Sequence, residues 1–132
     1  MVSPFYTSMN SKDPKFIALQ FNEYINTQDI TGLSSLMTED HTLILRDGEV
    51  VKGKAPNTKG WTEFFATFPD YKNNFHSVQS RDNLVILLGY AYWSDKNPYD
   101  PAIWTAMIEN NLVAEWRIYP ESDETRSKLN IQ

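Results

Sequence analysis

The stretch that decides the fold is YKNNFHSVQSRDNLVILLGYAYWSDKNPYDPAIWTAMIENNLVAEWRIY, running from Tyr71 to Tyr119. It reads as strands and tight turns. Tyr71–Ser80 and Leu84–Trp93 are long apolar strands joined by the polar turn Arg81-Asp82-Asn83. A loop with two prolines, Ser94–Pro101, leads to a second hairpin, Ala102–Glu109 and Leu112–Tyr119 around Asn110-Asn111. Strands rich in β-branched and aromatic residues, divided by such turn residues, predict paired antiparallel strands. Pro120 closes the run, and Ser122–Leu129 has the pattern of a weak terminal helix.

Upstream of Tyr71 the period changes to that of helices. Asp13-Pro14 is a helix start, a capping carboxylate followed by proline at the first helical position. Ile17, Phe21, Tyr24 and Ile25 then repeat on one helical face. Asp29 can cap a second, shorter helix carrying Ile30, Leu33, Leu36 and Met37. Thr42–Arg46 and Glu49–Lys52 read as a small hairpin around Asp47-Gly48, where both turn residues tolerate positive φ. Gly53–Thr58 reads as a loop. Trp61, Phe64, Phe65 and Phe68 restore helical spacing until Pro69-Asp70 ends it. Helices first and strands after predict an α+β domain, with three N-terminal-half helices on one face of a curved antiparallel sheet and an internal pocket. The expected organisation is a flexible N-terminus (1–12), one domain (13–120), and a C-terminal tail or short helix (121–132).

Composition narrows the function. The 132 residues are 41% hydrophobic and 14% aromatic, a folded composition in a chain long enough for a real core. A net charge of −5, with no basic block, disfavours nucleic acid and anionic membranes as partners. Cysteine is absent, which excludes disulfides, thiolate–zinc sites and thiol nucleophiles. The longest apolar run, Leu84–Trp93, is too short to span a bilayer as a helix. The first residues have neither the basic start nor the apolar centre of a secretory signal, so a cytoplasmic protein is expected.

Several strings carry a resemblance. Glu39-Asp40-His41-Thr42, Gly60-Trp61 with Phe64-Phe65, Phe68-Pro69-Asp70-Tyr71 and Ala114-Glu115-Trp116-Arg117-Ile118-Tyr119 occur in this order. Together they resemble the polyketide-cyclase-like (SnoaL-like) branch of the nuclear transport factor 2-like superfamily, which is related to ketosteroid isomerase. The resemblance implies a cone-shaped fold with a blind pocket and a homodimer through the outer sheet face. It also allows the isomerase chemistry to be tested by position. That chemistry needs a carboxylate base, a tyrosine and a protonated acid. Counting from the strings, these positions fall on Leu45, Phe21 and Thr105, none of which can take the required role, so the isomerase mechanism is not expected.

His41 is the most reactive polar residue left. Strand alternation puts His41, Leu43 and Leu45 on one face. His41 could serve as a general base oriented by Asp40, or be a structural histidine bonded to a neighbouring carbonyl. His76 shares no ligand spacing with it, so no metal and no cofactor are expected. Asp70 suits a backbone bond where helix becomes strand. The expected pocket residues are Phe21, Tyr24, His41, Leu43, Leu45, Trp61, Phe65, Thr105 and Trp116. The favoured reading is a small soluble protein that binds a small apolar molecule. The alternative is a cyclase, dehydratase or isomerase using His41.

Overall fold

The structure, a computed structural model, describes residues 13–132; the segment expected to be a flexible N-terminus lies outside the described residues. The elements are α1 (Pro14–Asn26), α2 (Ile30–Ser35), β1 (Met37–Ile44), β2 (Val50–Lys52), α3 (Lys54–Thr67), β3 (Lys72–Arg81), β4 (Leu84–Tyr92), β5 (Asp100–Glu109), β6 (Leu112–Pro120) and α4 (Asp123–Lys128). One six-stranded sheet has the order β2-β1-β6-β5-β4-β3. The fold is α+β, as the order of periodicities indicates. Among the described residues, only α1 and α3 are substantial helices; α2 has six residues.

The sheet is mixed, not antiparallel. β1 pairs parallel with β6, Leu43 opposite Trp116 and Ile44 opposite Arg117. The other pairings are antiparallel. Side-chain alternation reports a strand's two faces, not the direction of its neighbour, so this distant pairing leaves no local mark.

Local sequence explains most boundaries. Asp13 Oδ1 accepts from the Lys15 backbone N–H at 2.9 Å and caps α1. Asp29 does the same for α2 through Gly32. Leu36 and Met37 do not continue that helix; Met37 already pairs with Val113 in the sheet. At the Asp47-Gly48 turn only Gly48 has positive φ, 93°. The Leu45 carbonyl accepts from Gly48 N–H and Leu45 N–H donates to Glu49, so the turn spans one residue more than a two-residue hairpin. Asn110 and Asn111 do both take positive φ, 52° and 63°, and close β5–β6 tightly.

The segment read as a loop, Gly53–Thr58, is mostly the first turn and a half of α3. Pro56 is tolerated there because first-turn N–H groups have no intrahelical acceptor. Asn57 fixes the entry: its Nδ2 donates to the carbonyls of Gly53, Val51 and His41 at 2.8, 3.0 and 3.2 Å.

Helices and sheet share one main core, with Ile17, Phe21 and Ile25 of α1 and Trp61 and Phe65 of α3 against Leu87, Trp104, Ala106, Val113 and Trp116. An asparagine clasp ties α1 to β3: Asn26 and Asn22 bond the backbone and side chain of Asn73. The opposite sheet face carries a smaller cluster, in which Leu129 and Ile131 from the tail pack on Ile86, Leu88 and Ile103.

Candidate ligand cavity

A cavity of about 450 Å³ lies between α3 and the inner face of the sheet. Leu43, Leu45 and Val51 come to it from the β1–β2 hairpin, and Asn57, Gly60, Trp61 and Phe64 from α3. Tyr71, Ala91, Trp93, Ala102, Trp104 and Ile118 complete the wall from β3's approach and strands β4 to β6. Alternation explains the sheet side. Ala102, Trp104 and Ala106 share the inner face of β5, and Ala102 beside the indole leaves room that a larger side chain would fill.

The polar groups are few. Arg46 and Asp47, both exposed, border the cavity at the hairpin turn. Arg46 makes a forked ion pair with Asp100, Nη2 to Oδ2 at 2.6 Å and Nη1 to Oδ1 at 3.0 Å. Asp100 Oδ2 also accepts from Trp93 Nε1 at 3.0 Å. These bonds pin the turn to the start of β5. The Arg46 bond holds the Asp100 carboxyl below the usual carboxylate range. Tyr71 is buried against Trp93 and Phe64, ring centroids 4.7 and 4.9 Å apart. Burial pushes its phenol well above the ordinary value, so it stays a protonated hydrogen-bond donor at neutral pH.

Of the residues singled out from sequence, Leu43, Leu45 and Trp61 meet in this cavity. Phe21, His41 and Trp116 form a separate, fully buried group; Phe21 lies 5.6 Å from the imidazole and 4.9 Å from the indole between centroids. Phe65 packs against Trp61 in the core. Tyr24 covers Gly32 of α2. Thr105 is buried on the other sheet face, between Ile86 and Arg117 in register. None of these six lines the cavity.

His41 sits in mid-strand, with no exposed surface. Its Nδ1 lies 2.6 Å from the Val113 carbonyl. That contact requires Nδ1 to carry the proton and donate, leaving Nε2 bare and without a partner. Burial lowers its pKa, outweighing the Val113 bond and the nearby Asp40 charge. Asp40 is exposed and accepts instead from Thr38 Oγ1 at 2.8 Å. Among the described residues, no three His, Asp or Glu side chains are grouped to hold a metal ion, and no helix is long and apolar enough to cross a membrane.

Sequence reasoning missed Asn57, Tyr71, Trp93, Trp104 and the Arg46–Asp100 pair. The alternation of Ala102 and Trp104 against Ile103 and Thr105 is the signal that would have found Trp104. Nothing local joins Arg46 to a partner 54 residues away.

Residues 18–116 match the model of the SnoaL-like domain. The chain belongs to this SnoaL-like family. No curated protein sequence matches it. Among solved structures, a candidate SnoaL-like polyketide cyclase from Shewanella putrefaciens is 15% identical, with 100% of this chain and 97% of that one covered and a TM-score of 0.72. An NTF2-like protein of unknown function from Cytophaga hutchinsonii is 14% identical over 89% and 95% of the two chains, TM-score 0.69. TerC, co-crystallised with polyporic acid, is 11% identical over 89% and 99%, TM-score 0.69. At these identities the likeness is one of fold, and the SnoaL-like chain has the NTF2-like architecture.

Proposed function

We propose that this SnoaL-like protein binds a small, mostly apolar molecule in the cavity between α3 and the sheet. The observation that carries the reading is the cavity itself: about 450 Å³, walled by Leu43, Leu45, Trp61, Phe64, Trp93 and Trp104. Ligand sites of this size are typically apolar with a few orienting polar groups. Here those groups are the protonated Tyr71 phenol, with Arg46 and Asp47 at the border. A co-crystallised organic molecule in TerC, which shares the fold, is in keeping with this use.

The alternative, a cyclase, dehydratase or isomerase with His41 as base, gains no support from the geometry. A general base needs hydrogen-bond reach of its substrate. His41 is sealed among Phe21 and Trp116, outside the cavity wall, and Asp40 is bonded elsewhere.

Thermal-shift screening against apolar metabolites, with terpenoid, polycyclic aromatic and fatty-alcohol sets, tests the binding reading. A ligand present at a hundred times its Kd adds about 2.7 kcal/mol to stability, a shift of several degrees. Absence of stabilisation by any of these classes would contradict it.

A further inference from the structure

We infer that a second, smaller pocket, beside the end of β6, binds a phosphate-class oxyanion through Arg117 and Lys128. This goes beyond the cavity reading and does not depend on it.

The pocket, about 160 Å³, lies where three elements meet: the β1–β2 turn at Arg46 and Gly48, the end of β6 from Arg117 to Pro120, and α4 at Thr125 and Lys128. A water's share of the liquid is about 30 Å³, so the space suits a small ion with a few waters and not a bulky molecule. Topology creates it. β1 ends its pairing with β6 at Ile44, opposite Arg117. The chain then turns away into the hairpin, and the edge of β6 beyond Arg117 has no strand beside it. An open strand edge presents unpaired backbone N–H groups, which are donors for an anion.

Charge at this place runs against the rest of the chain, whose net charge is −5. The pocket wall carries Arg46, Arg117 and Lys128 against one acid, Glu124. Arg46 is neutralised by its forked pair with Asp100. The other two cations are not. Among the described residues, the side chains of Arg117 and Lys128 make no hydrogen bond and no ion pair, with Glu124 or any other acid. The Arg117 guanidinium is held by stacking, its Cζ 4.5 Å from the centre of the Tyr119 ring. Its Nε is enclosed without a partner, while Nη1 and Nη2 stay open. A guanidinium fixed in this way, with no acceptor, calls for one.

The planar fork of arginine and the point charge of lysine both suit phosphate. A carboxylate offers two oxygens in one plane, enough for one fork. A tetrahedral oxyanion offers oxygens in several directions and meets the strand edge, the helix and the guanidinium at once. The negative net charge sets an anionic membrane aside as the source. Free phosphate and a small soluble monoester share the required chemistry.

Calorimetric titration with inorganic phosphate, phenyl phosphate and acetate, at constant ionic strength, tests this. The proteins are the parent, Arg117→Gln, Lys128→Gln and Lys59→Gln, the last an exposed lysine of α3 outside the pocket. The parent is expected to bind phosphate saturably, one to one, at least about tenfold more tightly than acetate. Arg117→Gln should lose about tenfold or more, the worth of hydrogen bonds to a charged group. Lys128→Gln should lose severalfold and Lys59→Gln nothing. Phenyl phosphate bound as tightly as phosphate assigns a monoester as occupant; its exclusion assigns the free ion. Lys128 is exposed on α4, so its variant decides the matter should Arg117→Gln melt abnormally. Absence of saturable phosphate binding, binding that survives both pocket substitutions, or an equal loss in Lys59→Gln overturns the inference and leaves the cavity reading as it stands.

Discussion

His41 and Leu45 lie four residues apart on one extended segment and meet different surroundings. Leu45 is half-buried at the cavity; His41 is enclosed, neutral and bonded to Val113. Enclosure has a consequence for stability. The folded imidazole resists protonation, so its pKa lies below the ordinary 6.5, and the unfolded chain binds the proton more readily. Stability therefore rises with pH across this range and is lost as pH falls below 6.5 towards the folded-state value. Urea unfolding between pH 7.5 and 5 checks this. The parent midpoint should fall as acid is added, and His41→Gln should flatten that part of the profile while lowering stability at pH 7.5. An equal slope in both proteins would place the titration elsewhere. The sequence alone showed His41 as a possible base because it reveals which face a residue shares, not how deep it lies on that face. The same limit hid Phe21 and Trp116 as core residues, and a one-residue offset on β5 put Thr105 in place of Trp104.

At the scale of elements, helices with a clean apolar stripe and strands between strong turn residues were legible. α1 starts at its aspartate–proline cap, and α4 lies between Ser122 and Leu129 as its pattern indicates. What failed had non-local causes. α3 begins inside a glycine–proline segment because Asn57 supplies three bonds to backbone that only the folded hairpin brings near. The parallel β1–β6 pair joins residues more than 70 positions apart. The β3–β4 pairing contains a tighter constraint. A Cβ at Gly89 would come 1.9 Å from the Asn74 carbonyl oxygen and 2.8 Å from Phe75 Cα, both backbone atoms, beside the register shift between Phe75 and Ser77. Gly89→Ala must push the two strands apart at the bulge, and is expected to cost about 1–3 kcal/mol, read as a lower urea midpoint. An unchanged midpoint would mean that the strands do not approach this closely.

For the molecule as a whole, the two sheet faces have separate tasks. The outer face is partly closed by the chain's own tail: Leu129 and Ile131 cover Ile86, Leu88 and Ile103, and Arg81 donates to the Leu129 and Asn130 carbonyls. The inner face is divided between a packed end, where α1 meets Trp116 and Val113, and an open end, where α3 stands off the sheet and leaves the cavity. The open end has a position suited to testing it. Gly60 lines the cavity, and a Cβ placed there meets no atom within 4 Å. The first carbon of a side chain there meets no clash, and replacing glycine within a helix removes part of the roughly 1 kcal/mol that glycine costs relative to alanine. Titration of 2-naphthol into the parent and into Gly60→Phe, with melting temperatures recorded for both, is therefore the most direct measurement. The account predicts saturable one-to-one binding to the parent and loss of at least about a tenfold factor in affinity, 1.4 kcal/mol, in a variant that melts no lower. Undiminished binding to a stable Gly60→Phe would contradict it.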